Sequence, residues 1–128
     1  MKFLLDTHVF IWLDSEPEKL GMTALTICQN HNNDLYLSMA SVWEMQIKQQ
    51  LGKLKLKLPL NQLIDEQCVN NGLRILPMET RHIYALNDLP FHHKDPFDRL
   101  ILTQARLEKI SLITADKAFS HYDVDLIW

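Results

Sequence analysis

The chain has few of the residues that cross-link a fold or interrupt it. Its 128 residues include two cysteines, three glycines and five prolines. Cys28 and Cys68 are too few and too far apart for a disulfide framework or a zinc site, and both suit small buried apolar side chains in helices. There is no repeat, linker or low-complexity segment, and the length suits one hydrophobic core. The sequence therefore predicts a single domain over residues 1–128.

Long apolar runs and an excess of positive charge are also missing. No run approaches the length of a membrane span, and the first apolar stretch is broken at Asp6, which argues against a signal peptide. These absences predict a cytoplasmic protein with no membrane partner. The net charge of −3 disfavours nucleic-acid binding through the overall field of the protein, although it is compatible with a local basic patch.

Short apolar runs alternate along the chain with longer segments of helical period. Strands are predicted at 2–5, 35–37, 73–76, 111–113 and 124–128. Helices are predicted at 7–13, 22–31, 42–51, 60–71, 79–86, 96–109 and 115–119. Because helices separate the strands, the pattern predicts an α/β fold, a three-layer α/β/α sandwich around a mainly parallel sheet.

The ends of several predicted helices carry recognisable signals. Ser38 or Ser41 suits the N-cap of the third helix, and Asp95 suits the N-cap of a helix that begins with Pro96. Gly72 suits the end of the fourth helix. In the helix after Pro96, we expect four side chains to face inward: Leu100, Ile101, Gln104 and Leu107.

Four acidic residues fall where a parallel sheet presents its ligands. Asp6 lies at the exit of the first strand, and Asp116 lies three residues beyond the strand that ends at Ile113. Glu44 lies in the first turns of a helix that follows a strand, and Asp98 lies in the first turn of another helix. The carboxyl ends of parallel strands share one edge of the sheet, so all four acids can reach it.

Each acid alone has a simpler interpretation. An Asp in the first turn of a helix interacts favourably with the helix dipole, by about 0.3–1 kcal/mol, and Asp6 and Asp116 suit the caps of short helices. Glu44 is harder to explain in this way, because it lies between the apolar residues Trp43 and Met45. Two carboxylates about 4 Å apart repel by roughly 4 kcal/mol at an effective dielectric constant of 20. A cluster of four therefore favours a bound cation.

Oxygen ligands favour Mg²⁺ or Mn²⁺ over zinc. Such a site can activate water and hold a phosphodiester for in-line attack.

On these residues the sequence resembles PIN-domain ribonucleases of the VapC toxin type. The resemblance covers nearly the whole chain and rests on "FLLDTHVFIWL", "SMASVWEMQIKQQLGKL" and "HHKDPFDRLILTQARLEKISLITADKAF". It implies a parallel α/β/α sandwich, Mg²⁺- or Mn²⁺-dependent RNA cleavage and inhibition by a cognate antitoxin.

The resemblance also assigns roles to individual residues and partners. It implies that the catalytic and metal-binding acids are Asp6, Glu44, Asp98 and Asp116. Thr7 and Thr114 lie beside matching acids, where they can hydrogen-bond a carboxylate or a metal-bound water. Asp95 is favoured as a helix cap, with an outer role at the metal as the alternative. The implied assembly is a homodimer within a larger toxin–antitoxin complex that reaches operator DNA only through the antitoxin.

Candidate RNA contacts are basic residues near the acids, namely Lys48, Lys53 and Arg99. The first two belong to a group of four lysines, completed by Lys55 and Lys57, that contains no acid and includes the alternating stretch "KLKLKLP". Steering of RNA and a merely solvated or edge-protecting face are equally compatible with this group. Arg99 suits a phosphate contact or an ion pair with Asp95 or Asp98.

The remaining aromatic and histidine residues carry weaker signals. His92 and His93 are expected to be loop residues near the site rather than metal ligands, and His8 has no assigned role. Trp12 and Trp43 occupy apolar positions that favour the core. Phe97, beside Asp98, is the better candidate for stacking on a base, although core packing is favoured there too.

Two rival functions fit the same residues. One is a non-catalytic PIN-like interaction protein, which acts through antitoxin and operator DNA and uses its acids as helix caps. The other is a metal-dependent nuclease that acts on DNA. Metal dependence of cleavage separates the first rival from a ribonuclease, and competition between RNA and DNA substrates separates the second.

Overall fold

The computed structural model describes residues 1–128 as a sheet of five short strands with helices between them. The strands are β1 (Lys2–Leu5), β2 (Asp34–Ser38), β3 (Arg74–Leu76), β4 (Ser111–Ile113) and β5 (Leu126–Ile127). The helices are α1 (Thr7–Ser15), α2 (Met22–Gln29), α3 (Met39–Gln50), α4 (Leu60–Asn71), α5 (Thr80–Ala85) and α6 (Pro96–Glu108). Short 3-10 helices occupy Pro17–Lys19, Leu86–Asp88 and Lys117–His121. None of the helices is both long and apolar enough to cross a membrane.

All neighbouring strands pair in parallel, in the order β3-β2-β1-β4-β5. The chain moves outward from β1 to β2 and β3 on one side, and then returns to place β4 on the other side. The order of strands therefore reverses between β1 and β4, and open α/β sheets bind ligands at such a point. The predicted α/β/α fold with a parallel sheet is confirmed.

The two faces of the sheet are covered by separate helical layers. Phe3 and Leu5 of β1 pack in a buried cluster with α1, α2, α3 and α4, whereas Leu4 packs in a second cluster with α6. This alternation follows from the two-residue period of a strand. Because both faces are covered, β1 is apolar from Phe3 to Leu5, as the sequence indicates.

The predicted helix ends agree with the structure. Ser38 caps α3 by accepting a hydrogen bond from the amide of Ala40. Asp95 caps α6, since its Oδ1 accepts from the amides of Phe97 and Asp98 at 2.9 and 3.0 Å. Gly72 ends α4 with φ of 65°, a left-handed conformation that glycine adopts without strain.

The alternation of the "KLKLKLP" stretch agrees with its exposure, since its leucines are half-buried against the core and its lysines are exposed. Two side chains differ from the sequence-based expectations. Leu107 is exposed, because the buried stripe of α6 ends at Ala105. Trp43 is 57 % exposed and does not belong to the core.

Candidate metal centre at the sheet edge

The ends of β1 and β4 lie side by side and bring three polar residues together. The Thr114 hydroxyl donates to Asp6 Oδ2 at 2.8 Å, and its oxygen accepts from the Asp116 amide at 3.1 Å. The Asp6 amide in turn donates to the Ile113 carbonyl, which continues the pairing of the strands past their ends. The geometry thus fixes Asp6 and Asp116 on one edge.

Asp6 is held in place without being used as a helix cap. It stands at the N-cap position of α1, yet its side chain accepts no hydrogen bond from the helix. The residue is only 5 % exposed, and its Oδ1 has no hydrogen-bond partner. Burial raises the pKa of Asp6, while the hydrogen bond from Thr114 opposes that rise. An unpaired buried oxygen is costly, and a bound cation would satisfy it.

Glu44 reaches the same region from the first turns of α3. Its Oε1 accepts from the Thr7 hydroxyl at 2.8 Å, and the Thr7 oxygen lies 2.8 Å from the Ser41 hydroxyl. Its Oε2 lies 2.6 Å from the ammonium of Lys48, one turn further along the helix. Both oxygens of this buried carboxylate therefore have partners, in contrast to Asp6.

Lys48 carries the positive charge nearest to Glu44. Burial lowers the pKa of its ammonium, but the hydrogen bond and charge of Glu44 outweigh that effect and raise it. Lys48 is consequently a fixed cation at the margin of the acids. Lys53 is exposed and lies in the loop that follows α3.

Asp98 and Asp116 border a pocket of about 340 Å³ together with Asp6. Its other lining residues are His8, Trp12 and Ala115. Asp116 uses its Oδ1 to cap the short 3-10 helix through the amide of Ala118. Burial and then the charges of Asp6, Asp95, Glu44 and Asp116 raise the pKa of Asp98 to about 8. Glu44 does not line the pocket; it is hydrogen-bonded to Thr7, which directly follows Asp6.

His93 lies in a loop near the site, as the sequence indicates, but its contacts with two of the acids were not predicted. Its Nε2 lies 3.1 Å from Asp98 Oδ2 and 3.3 Å from Asp116 Oδ2. Its Nδ1 accepts from the amide of Asp95 at 3.2 Å. An imidazole that accepts at Nδ1 carries its proton at Nε2, so His93 donates to the two acids. The spacing "HHKDPFD" was the available signal, since it brings His93 near Asp98.

Arg99 has a different role from either of those expected for it. Its guanidinium is buried and donates to the carbonyls of Leu89, Pro90 and His93. The ring of Phe91 lies over it at 3.9 Å. Because its donors are used inside the protein, Arg99 is neither a surface phosphate contact nor the ion-pair partner of Asp95 or Asp98. It fixes the loop that positions His93.

The donor set at the edge fits a hard divalent cation. Three carboxylates meet around one pocket, one of them has an oxygen with no partner, and another has a strongly raised pKa caused in part by its acidic neighbours. Repulsion of this kind is relieved by a cation. Mg²⁺ and Mn²⁺ match such oxygen ligands.

The PIN domain family model matches residues 3–125, nearly the whole chain. The chain belongs to the PIN domain family. This assignment agrees with the parallel sheet and with the acids at the carboxyl ends of its strands. A comparison with curated protein sequences gives no significant match.

Solved structures share the PIN fold of this chain at low sequence identity. The VapBC2 complex of Rickettsia felis, bound to a DNA fragment from its promoter, contains a chain with 17 % identity and a TM-score of 0.72, covering 99 % of this chain and 98 % of that one. A chain of VapBC-1 from nontypeable Haemophilus influenzae has 19 % identity and a TM-score of 0.66, covering 99 % of this chain and 97 % of that one. A chain of a toxin–antitoxin complex from Klebsiella pneumoniae has 18 % identity and a TM-score of 0.63, covering 98 % of this chain and 95 % of that one.

Proposed function

We propose that this PIN domain is the toxin of a toxin–antitoxin pair and a Mg²⁺- or Mn²⁺-dependent endoribonuclease. The observation that carries the proposal is the unpartnered Oδ1 of Asp6, buried beside Asp98 and Asp116 at the carboxyl edge of the sheet. A carboxylate that only capped a helix would use its oxygens on helix amides, and Asp6 does not.

The acids divide into two groups in this proposal. Asp6, Asp98 and Asp116 face the pocket and would hold the cation, whereas Glu44 has both oxygens engaged by Thr7 and Lys48. Glu44 would add negative charge near the cation, and it would bind the cation directly only after release from Thr7 or Lys48. When bound, Mg²⁺ or Mn²⁺ would activate water and neutralise the charge of a phosphodiester.

The surrounding residues prepare the site for a polyanion. Thr114 and Thr7 hold Asp6 and Glu44 in single orientations by hydrogen bonds of 2.8 Å. Lys48 supplies positive charge beside the acids, and Lys53 supplies more from an exposed loop. These charges support the approach of RNA to a pocket that is acidic by itself. Asp95, as the cap of α6, fixes the first turn that carries Asp98.

Cleavage of RNA by the purified protein tests the proposal. Antitoxin-free protein should cut single-stranded RNA with Mg²⁺ or Mn²⁺, and EDTA should stop it. Asp6→Asn should lower the rate by at least about 100-fold, since electrostatic groups of this kind contribute on that scale. Asp65→Asn, at an exposed position on α4, is the matched control and should cut like the parent.

Other results would contradict this reading. Cleavage that survives EDTA, or that Asp6→Asn retains in full, would exclude the metal-site mechanism. A protein that cuts DNA faster than RNA would be a deoxyribonuclease. A protein that cuts neither, yet binds the product of an adjacent gene, would be a non-catalytic interaction protein. RNA ends sequenced after brief induction of the parent and of Asp6→Asn would identify the target.

An antitoxin partner is supported by the solved neighbours and by one surface. The neighbouring structures are toxin–antitoxin complexes, one of them with promoter DNA. In this chain an apolar groove of about 850 Å³ runs between α3 and the segment 56–64, with Met39 and Trp43 exposed in it. Large exposed apolar surface is typical of protein contacts.

Coexpression with the product of the adjacent gene tests the partner. We expect a stable complex that suppresses cleavage, and Met39→Glu, at an exposed residue of the groove, should weaken it while the free enzyme cleaves like the parent. Light scattering of the free protein then tests the predicted homodimer. In the proposed assembly, operator DNA binds through the antitoxin, so the free toxin should show no affinity for that DNA.

A further inference from the structure

We propose that Trp12 is a stacking platform for an unpaired base at the mouth of the acidic pocket. This inference rests on the proposed function and deepens it, because it names a residue that would hold single-stranded RNA beside the acids. The relevant observation is that Trp12 lines the same pocket as Asp6, Asp98 and Asp116. The sequence pattern had favoured a core position for this indole.

The position of Trp12 follows from the geometry of α1. Asp6 immediately precedes the helix, His8 lies in its first turn, and Trp12 lies one turn later on the same face. The rings of His8 and Trp12 have centroids 6.0 Å apart. His8 is exposed, whereas Trp12 is half-buried, with one part against the core and another part in the pocket wall. An aromatic surface therefore extends outward from the carboxylates.

The indole of Trp12 is supported by residues outside α1. The ring of Trp128, which follows β5, meets it edge-on with centroids 6.1 Å apart. Gly21 permits this arrangement, because a Cβ there would lie 2.9 Å from the backbone carbon of Trp128. The ammonium of Lys19 stands over the Trp12 ring, 5.9 Å from its centroid. The ring is thus restrained, and an exposed cation stands over one of its faces.

These features match the requirements of a single strand. Aromatic rings bind bases by stacking in a sequence-tolerant way, and a base inside a duplex offers no free face. A strand whose base lies on Trp12 would have its adjacent phosphate directed towards the acids and the metal they would hold. Lys19 is placed to contact the next phosphate after exchange from its exposed ion pair with Glu16.

Equilibrium binding of RNA separates stacking from cleavage. The experiment uses the Asp6→Asn protein in EDTA, which cannot cut, and a fluorescein-labelled single-stranded RNA of ten nucleotides measured by anisotropy. Adding Trp12→Leu should weaken binding about 5- to 150-fold, the range for loss of one stacked base. Trp12→Phe should recover most of the affinity. Tyr84→Leu, a change at an exposed aromatic residue on α5, should leave it unchanged.

A series of RNAs with one abasic nucleotide each completes the test. One position should weaken binding to the Asp6→Asn protein, and this sensitivity should vanish when Trp12→Leu is added, as expected for two coupled partners. Equal affinities with and without Trp12→Leu, or an undiminished abasic effect, would overturn the stacking role. Those results would leave the proposed nuclease activity of the parent untouched. Conversely, a parent protein that binds RNA through Trp12 but does not cut it would reject the nuclease activity and keep the stacking role.

Quenching of tryptophan emission covers the case in which Trp12→Leu fails to fold. A variant with Trp43→Phe and Trp128→Phe retains Trp12 as its one tryptophan. Its emission should be quenched by the single-stranded RNA and not by the same sequence as a duplex. Emission that is insensitive to the single strand at saturating RNA would reject the platform.

Discussion

The hydroxyl of Thr114 donates to Asp6 Oδ2 at 2.8 Å, and this bond joins residues 108 positions apart in the sequence. It connects the carboxyl ends of β1 and β4, the two strands between which the strand order reverses. The bond occupies one oxygen of Asp6 and leaves the other buried without a hydrogen-bond partner. The hydroxyl of Thr114 therefore orients the carboxylate of Asp6.

The first prediction concerns this hydroxyl. Thr114→Val removes the donor and leaves a buried carboxylate oxygen without a partner, so the protein should lose about 1–3 kcal/mol of unfolding free energy. Cleavage should fall as well, because Asp6 loses its fixed orientation. Urea unfolding and initial rates of RNA cleavage measure both effects.

Thr103→Val is the matched control for that change. Thr103 is also buried, but its hydroxyl has no hydrogen-bond partner. Replacing it should be neutral or stabilising, since an unpaired buried hydroxyl is removed. Equal destabilisation by the two substitutions would mean that the bond to Asp6 has no special role.

The second prediction concerns pH. The pKa of Asp98 is raised from 3.8 to about 8, so between these values the folded protein holds a proton that the unfolded chain has released. Stability of the metal-free protein should therefore fall as pH rises through that window. Thermal unfolding in EDTA at pH 5 and pH 8 measures the loss.

Asp98→Asn should flatten this pH dependence and raise the Tm at pH 8 by about 3–6 °C. Mg²⁺ or Mn²⁺ competes with the proton, so either ion should stabilise the parent more at pH 8 than at pH 5. A stability profile in EDTA that is the same for parent and variant would contradict the raised pKa.

The third prediction concerns Lys48. Lys48→Met removes the cation paired with Glu44, so calorimetry should show Mn²⁺ binding several-fold tighter while RNA binding weakens. Lys55→Met alters an exposed lysine of the loop and should leave Mn²⁺ affinity unchanged. Tighter Mn²⁺ binding in both variants would indicate a general charge effect instead.

The fourth prediction concerns the tautomer of His93. Long-range ¹H–¹⁵N correlation spectra of the metal-free protein should show the proton on Nε2, because Nδ1 accepts from the amide of Asp95. His93→Ala removes the donor shared by Asp98 and Asp116, and cleavage should fall by about 10- to 100-fold. A proton found on Nδ1 would contradict the geometry.

The sequence sufficed for much of the fold because local rules decided it. Gly72, Ser38 and Asp95 end or begin helices where capping chemistry requires them. The apolar runs identified every strand, although the last contains only Leu126–Ile127. The predictions that Leu107 and Trp43 are buried were wrong, because helical period alone does not reveal how far the buried stripe of a helix extends.

The candidate site was accessible to the sequence only in part. Residue type and position after a strand were enough to group Asp6, Glu44, Asp98 and Asp116, since parallel strands end at one edge. The sequence offered Thr7 and Thr114 as hydrogen-bond partners of the acids, but not which carboxylate each one contacts, because contacts between residues far apart in the chain depend on packing. Arg99 illustrates this dependence on packing. It is a basic residue next to Asp98 in the sequence, yet its buried guanidinium donates to three backbone carbonyls.

The sequence by itself determined the fold class and grouped the four candidate acids, because strand and helix periods and the spacing of charged residues are local properties. Only the tertiary structure decided which oxygen of Asp6 is free, that His93 donates to two acids and that Trp12 lines the pocket. Those relationships join separate elements, and they exist only after the helices have packed on the sheet.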